Sequence, residues 1–248
     1  GFLAISRRQV GALAILGALL LGLGLGMVTL AQYNGVPTGI VALLIAALPL
    51  WIAIFKSIDG VASSRWGWLG ITIGFLGVGI LLLPELSKPN NTGHLFWMAM
   101  VILGNMGWSL GTYIAPRLGL PSSTMVVTCY QMLLGGISMS AVALLVGEDL
   151  GELFNATLFS WMWWLFLVVI GSIATYSAYL WLVKHAPVGL IATYAYVNPV
   201  IAVTIGAIVL NEPLSATILL GAAVVITGVV IVVRAESRAL ATQSQPSP

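Results

Sequence analysis

Charged residues are scarce in this sequence. Asp, Glu, Lys and Arg make up 6% of its 248 residues, whereas a soluble domain carries about 25%. Its single cysteine, Cys129, cannot form an internal disulfide, and two histidines are too few for a metal-dependent membrane enzyme. The basic residues are scattered singly and the net charge is +2, which excludes the basic patch that nucleic acid requires. We therefore expect no metal, no cofactor and no nucleic-acid partner.

Long apolar runs make up most of the chain. Hydrophobic residues account for 60% of it, and eight runs of roughly 20 residues are each long enough to cross a hydrocarbon core of about 30 Å. The loops are short, and the polar tail 234–248 is expected to be disordered. The sequence predicts an all-α polytopic membrane protein that contacts the lipid bilayer along spans near 10–31, 37–56, 66–84, 94–114, 122–146, 160–183, 188–210 and 214–233.

The basic residues collect on one side of these spans. Lys88 alone falls on the other side, which carries acids such as Glu148 and Glu212. Because positive charge marks cytoplasmic loops, we expect a cytoplasmic C-terminus and a bacterial inner (plasma) membrane. The residues on the cytoplasmic side are Arg7, Arg8, Lys56, Arg65, Arg117, Lys184, Arg234 and Arg238.

The chain contains an internal repeat. Pro37, Gly39 and Pro49 recur 150 residues later as Pro187, Gly189 and Pro199, and Gly70 and Gly77 recur 151 residues later as Gly221 and Gly228. The N-terminal unit, 1–92, shows three spans and the C-terminal unit, 93–233, shows five. An odd number of spans per unit inverts the second copy in the membrane. We expect two inverted five-helix repeats, ten helices with eight visible, and two helices before Gly1.

The succession of motifs resembles the EamA-type branch of the drug/metabolite transporter superfamily. The resemblance rests on the segments ALPLWIA and VNPVIAV, the LNEP turn, and two closing helices with the pattern LGxxxxxxGV. It implies ten helices in two halves, and transport of amino acids, other small metabolites or drugs, mostly by export or exchange. It also implies that the first two helices of the family, with any site residues they supply, are missing here.

Two prolines fall inside predicted spans. Pro49 and Pro199 each remove one backbone hydrogen bond, bend the helix and free the carbonyl four residues earlier, which for Pro49 is that of Ile45. Tyr194 and Asn198 lie four residues apart beside the second bend. We predict that they line a substrate cavity, and the alternative is that they bond to neighbouring helices.

Polar and aromatic side chains also follow one face of two other spans. Asn105 and Trp108 do so in the fourth span, and Tyr176 and Tyr179 in the sixth. We predict that these four residues bind substrate, with packing between helices as the alternative. Glu212, in the LNEP turn, is interpreted as a solvated turn residue.

No charged residue lies at the centre of a span, where it would be costly. This absence favours a neutral, zwitterionic or partly apolar solute, and it leaves coupling either to the missing helices or to facilitated transport and exchange. The leading hypothesis is a secondary transporter that exports a small solute by alternating access. The alternative, an intramembrane enzyme acting on a lipid or small molecule, lacks a catalytic set, so no enzymatic activity is expected. A homodimer is left open as an assembly.

Overall fold

A computed structural model describes residues 5–60, 64–86, 92–145, 147–148, 151, 154–175, 178, 194–212 and 214–243. These residues form helices and turns, and the described part of the chain contains no strand. The all-α prediction is confirmed. The helices are α1 (Arg7–Leu16), α2 (Gly26–Tyr33), α3 (Thr38–Ile45), α4 (Leu48–Ile58), α5 (Arg65–Leu86), α6 (Thr92–Ile114), α7 (Thr124–Leu145), α8 (Leu158–Phe166), α9 (Tyr194–Val209) and α10 (Ala216–Gln243).

Within the described ranges, six helical segments are long and apolar enough to cross a membrane. Two shorter apolar helices, Leu158–Ser172 and Val197–Val209, overlap the predicted sixth and seventh spans, and 179–193 between them is outside the described residues. The six long segments are Arg7–Tyr33, Thr38–Ile58, Arg65–Pro84, Gly93–Arg117, Thr124–Leu144 and Ala216–Ala235.

The last helix is longer than its sequence predicted. Helix α10 continues to Gln243, whereas its membrane-spanning part, Ala216–Ala235, ends within two residues of the predicted end at 233. The residues from 234 to 243, which were expected to be disordered, are helical, and 244–248 lie outside the described residues. The added segment is rich in Ala, Glu, Arg and Leu, which have high helix propensity and can extend a helix beyond the bilayer.

The chain divides into two compact units, residues 1–139 with 195–248, and residues 140–194. In the second unit, α8 begins at the N-cap Thr157, whose hydroxyl accepts a hydrogen bond from the Ser160 backbone N–H at 3.2 Å. Edge-to-face contacts follow along this helix, such as Trp163 with Phe166 at 5.6 Å between ring centres.

The first span combines α1, a π-helical segment Gly17–Leu25 and α2. Glycines of α6 let α6 approach this span closely, because a Cβ at Gly104 would lie 2.9 Å from the Leu23 carbonyl oxygen and one at Gly107 would lie 2.5 Å from the Leu23 side chain. This is the small-residue packing by which membrane helices approach one another.

Helices α5 and α10 pack through glycines that the internal repeat had singled out. A Cβ at Gly70 would lie 2.8 Å from the Gly228 carbonyl oxygen, and one at Gly77 would lie 2.5 Å from the Val225 backbone nitrogen. Contacting residue numbers rise along α5 as they fall along α10, so the two helices run antiparallel. The offset of 151 also relates these contacts to one another when it is added to the α5 residue and subtracted from the α10 residue. The Gly70–Val232 contact then corresponds to the Gly221–Leu81 contact, and Gly74–Gly228 corresponds to Val225–Gly77. The inverted repeat itself stays a prediction.

The span formed by α3 and α4 lies deepest in the first unit. Half of its most apolar 18-residue window is buried, against at most 39% for the other five long spans. Leu43, Leu44 and Leu50 of this span are essentially inaccessible and belong to the core, together with residues of α5 and α10 such as Leu81 and Val225. Polar groups on this span are therefore surrounded by protein, the setting in which irregular backbone is tolerated at membrane depth.

Candidate functional site

The buried span is broken in its middle. Helix α3 ends at Ile45, residues 46 and 47 form a turn, and α4 begins at Leu48 with Pro49 as its second residue. The Ala47 N–H donates to the Leu44 carbonyl at 3.3 Å, and the Leu50 N–H donates to the Ala47 carbonyl at 3.0 Å. Because Pro49 has no N–H, it cannot serve the Ile45 carbonyl. The break thus brings the C-terminal end of one half-helix next to the N-terminal end of another.

Two polar side chains of α6 bond to this break. The Asn105 Nδ2 donates to the Leu44 carbonyl at 2.9 Å. The Ser109 hydroxyl lies 2.7 Å from the Asn105 carbonyl and 3.4 Å from the Leu48 carbonyl, to only one of which it can donate its single proton at a time. Asn105 is 4% exposed and Ser109 is inaccessible, and they are the only buried polar residues in the described part of the chain. They add side-chain hydrogen bonds to backbone carbonyls on either side of the break.

One atom of this arrangement has no partner. The Asn105 Oδ1 is buried and accepts no hydrogen bond from any described residue. A buried carbonyl oxygen without a donor costs free energy, on the order of 1–3 kcal/mol. Among the described residues, the accepting capacity of this oxygen is therefore unused.

Trp108 shares the α6 face with Asn105 but contacts a different element. It is half-buried, and a Cβ at Gly24 in the first span would lie 2.8 Å from the Trp108 ring. The ring thus packs over a glycine of the π-helical segment. Asn105 bonds to the break instead, so the two side chains contact different elements.

The second proline lies in a different local structure. Pro199 is buried within α9, whose assigned helix is not interrupted there, and Asn198 beside it is exposed. The Tyr194 backbone is helical, but its side chain lies outside the described part of the chain, as do Tyr176 and Tyr179 entirely.

A cavity of about 350 Å³ adjoins Pro199. Its described lining comes from α3, α9 and α10 and the turn before α10; Thr204 is its only polar side chain, and Asn198 is not among its lining residues. The Thr204 hydroxyl donates to the Val200 carbonyl of its own helix at 2.7 Å. This volume is at the lower end of the range for small-molecule sites. The described walls are apolar and offer shape rather than hydrogen bonds.

Glu212 corrects a prediction from the sequence. Its Oε1 accepts the Thr38 N–H at 2.6 Å and its Oε2 accepts the Gly39 N–H at 3.0 Å, so the carboxylate caps the N-terminus of α3. The interpretation as a solvated turn residue was wrong. Two signals were present: topology placed Glu212 on the same side as the loop before Pro37, and the first N–H groups of an apolar helix need an acceptor.

A second charged cluster lies where α4 ends. The Asp59 Oδ2 accepts hydrogen bonds from the Tyr113 hydroxyl and from the Arg117 Nη1, the latter at 2.5 Å. The Arg117 guanidinium also lies over the Tyr113 ring, 4.3 Å from its centre. The pKa of Asp59 lies below its ordinary value. The main cause is the hydrogen bond that its carboxylate accepts from Tyr113, and the second is the hydrogen bond from Arg117. This cluster joins α4 to the end of the span that contains α6.

Comparison with known proteins assigns the family. The model of the EamA-like transporter family matches residues 95–234. The uncharacterized inner membrane transporter YedA of Escherichia coli strain K12 is 33% identical over 219 residues, which cover 88% of this chain and 69% of YedA. An uncharacterized transporter of Synechocystis is 24% identical over 205 residues, covering 76% of this chain and 58% of the relative. The uncharacterized transporter YvbV of Bacillus subtilis strain 168 is 23% identical over 214 residues, covering 80% and 64%.

No solved structure matches the chain. The family match covers more than half of the 248 residues, and YedA is matched over most of its own length. With six helical segments long and apolar enough to cross a bilayer, the described residues form a multi-pass integral membrane protein. The protein is a transporter rather than an enzyme, and it belongs to the EamA-like transporter family.

Proposed function

We propose that the protein moves a small neutral or zwitterionic metabolite, such as an amino acid or a drug-like solute, across the bacterial inner membrane by alternating access. The observation that carries this proposal is the broken α3–α4 span with the unpartnered Asn105 Oδ1 beside it. Broken helices near the bilayer midplane are where transporters of other folds bind solutes and ions.

The electrostatics of the break favour a solute without net charge. The C-terminal end of α3 carries partial negative charge and the N-terminal end of α4 carries partial positive charge, and the two ends adjoin at residues 46 and 47. The described part of the chain buries no charged side chain, so an ion of net charge would find no counter-ion there. A zwitterion could place its ammonium group toward Leu44 and its carboxylate toward the start of α4.

The predicted substrate-binding residues enter this proposal with different support. Asn105 is supported by its burial and its free acceptor. Trp108 adjoins the same helix face, whereas Asn198 is exposed, and contributions from Tyr176, Tyr179 and Tyr194 stay predictions. Export follows the resemblance to the family, the inner membrane follows the name of YedA, and the cytoplasmic C-terminus follows the distribution of Lys and Arg.

Counterflow in proteoliposomes tests the proposal. Vesicles loaded with a mixed pool of amino acids and neutral metabolites are diluted into labelled solutes, and exchange is measured by mass spectrometry. We expect exchange of zwitterionic solutes that falls at least tenfold in Asn105→Ala, because a lost buried hydrogen bond costs roughly 1.5 kcal/mol. Thr227→Ala is the control, since this exposed hydroxyl donates only to Ala223 of its own helix.

Two results would contradict the proposal. One is exchange that is equal in Asn105→Ala and in Thr227→Ala, which would remove the break from the solute path. The other is a preference for anionic solutes over zwitterions, which would show that a positive group outside the described break selects the solute. Asn198→Ala separates the two proline regions, because loss of exchange there but not in Asn105→Ala would move the site to α9.

A further inference from the structure

Hydrogen bonds of described residues tie the broken span to the rest of the first unit at its two ends and at the break. Glu212 holds the beginning of α3, Asn105 and Ser109 hold the break, and Tyr113 and Arg117 hold Asp59 at the end of α4. Each tie joins the predicted N-terminal unit, 1–92, to the predicted C-terminal unit, 93–233. Any movement of one unit against the other must therefore break or carry at least one of them.

The tie at Glu212 is short, charged and enclosed. A carboxylate that accepts two backbone N–H groups at a helix N-terminus gains from both the charge-assisted hydrogen bonds and the helix dipole. The neighbouring backbone has no side chains in the way: a Cβ at Gly206 would lie 2.5 Å from Oε2, and one at Gly39 would lie 3.4 Å from it. The space beside the carboxylate is about 10 Å³, room for no more than one water molecule. The Glu212 carboxylate thus leaves almost no free space beside the start of α3.

The tie at Asp59 differs in strength. The Asp59 and Arg117 side chains are 43% and 54% exposed, and an exposed ion pair stabilises little, since water screens it. The hydrogen bond from Tyr113 adds a third member, but among the described residues Asp59 is held by side chains alone, without backbone N–H groups comparable to those of Thr38 and Gly39. The two ends of one broken span are thus closed by contacts of unequal strength.

We infer that Glu212 is the gating residue at one end of the solute pathway and that the Asp59–Tyr113–Arg117 cluster gates the other end, with α3 and α4 as two arms that turn about Ala46 and Ala47. This inference rests on the proposed alternating access. Opening at the Glu212 end requires the carboxylate to leave α3, and opening at the Asp59 end requires the carboxylate to leave Tyr113 and Arg117. Weakening one contact raises the population open at that end alone.

Cysteine labelling in lipid nanodiscs tests the inference, because both membrane faces are then accessible. Cys129, the only native cysteine, is replaced by alanine, and one reporter is introduced in each arm: Ile40→Cys in α3 or Ala53→Cys in α4. Ile40 is 5% exposed and Ala53 is 1% exposed, so a soluble maleimide reaches either reporter only when its arm opens. The labelling rate therefore measures the open population at each end.

We expect Glu212→Ala to raise the labelling rate at Ile40→Cys about tenfold and to leave Ala53→Cys unchanged or slower, because charged hydrogen bonds are worth roughly that factor or more. Glu212→Gln, which keeps one acceptor oxygen, should give an intermediate rate. Asp59→Asn should raise the labelling rate at Ala53→Cys only about twofold, because the exposed Asp59–Arg117 ion pair stabilises little, and it should leave the rate at Ile40→Cys unchanged. Glu148→Gln, an exposed acid, is the charge control.

Two results would overturn the inference. The first is an unchanged rate at Ile40→Cys in a Glu212→Ala protein that elutes as a folded monodisperse peak. The second is an equal rise at both reporters, which would show general loosening instead of opening at one end. Labelling requires no solute, so a selective rise together with absent counterflow would refute the proposed solute class while supporting the gate.

Discussion

Replacing Gly77 by alanine should push α5 and α10 apart. The added Cβ would lie 2.5 Å from the Val225 backbone nitrogen and 2.7 Å from the Val225 side chain. An ordinary contact begins at 3.4 Å, so the helices must separate by 3.4 − 2.5 = 0.9 Å. Backbone atoms cannot rotate out of the way as a flexible side chain can. Overpacking of this kind costs about 1–3 kcal/mol of the free energy of unfolding.

A matched control lies two residues away on the same helix. A Cβ at Gly79 would meet no heavy atom within 4 Å, so Gly79→Ala should be neutral. Both variants can be compared by thermal unfolding in detergent, followed by fluorescence-detected size exclusion. Gly228, the counterpart of Gly77 at an offset of 151, should respond like Gly77, since its Cβ would lie 2.5 Å from the Gly74 Cα. Equal melting temperatures for Gly77→Ala and Gly79→Ala would refute the packing argument.

Two further predictions concern the ends of helices. The hydrogen bond from Tyr113, and to a smaller extent that from Arg117, lowers the pKa of Asp59. These bonds therefore stabilise the folded protein at pH above the ordinary value of 3.8, and this contribution is lost as the pH falls below that value. Melting temperatures of the wild type and Asp59→Asn should therefore differ slightly at pH 6 and converge below pH 3, and a difference that persists at low pH would contradict this cause. Ser6 and Gln9 form a capping box at the start of α1, so Ser6→Ala should lower the free energy of unfolding by about 1 kcal/mol, measurable as a lower melting temperature. An unchanged melting temperature would show that the start of α1 is frayed in solution.

The sequence predicted the parts of the fold that depend on local periodicity. Apolar runs gave the six long spans, because a membrane helix must be apolar over its whole length. Pro49 predicted an irregular backbone in the second span, and the structure breaks the helix at residues 46 and 47. Gly77 and Gly228 were visible as a repeated motif. Their direct role in packing α5 on α10 follows from the helix faces, which only the structure gives.

The sequence could not predict contacts between distant segments. Glu212 and Thr38 are 174 residues apart, and a turn acid looks the same in sequence whether water or a helix N-terminus solvates it. Trp108 lies on the predicted polar face of α6, but its ring packs over Gly24 of the first span, a contact between segments more than 80 residues apart. The helical residues after Arg234 were misjudged because polarity was read as disorder, although the same residues favour helix.

Because α5 packs against α10 and not against a second copy of itself, the two helices can carry different residues at positions that the predicted repeat relates. Two identical subunits related by a two-fold axis must place one residue type at both equivalent positions, so a larger side chain is added twice or not at all. The predicted repeat, with its offset of 151, makes Val225 the counterpart of Gly74, and each faces a glycine of the other helix, Gly77 and Gly228 respectively. The contact of Gly74 with Gly228 joins two glycines, whereas the corresponding contact of Val225 with Gly77 joins a valine and a glycine. A single chain can therefore bring two backbones close together at the glycine–glycine contact and place a valine side chain at the other contact. A symmetric dimer of one half could not combine the two.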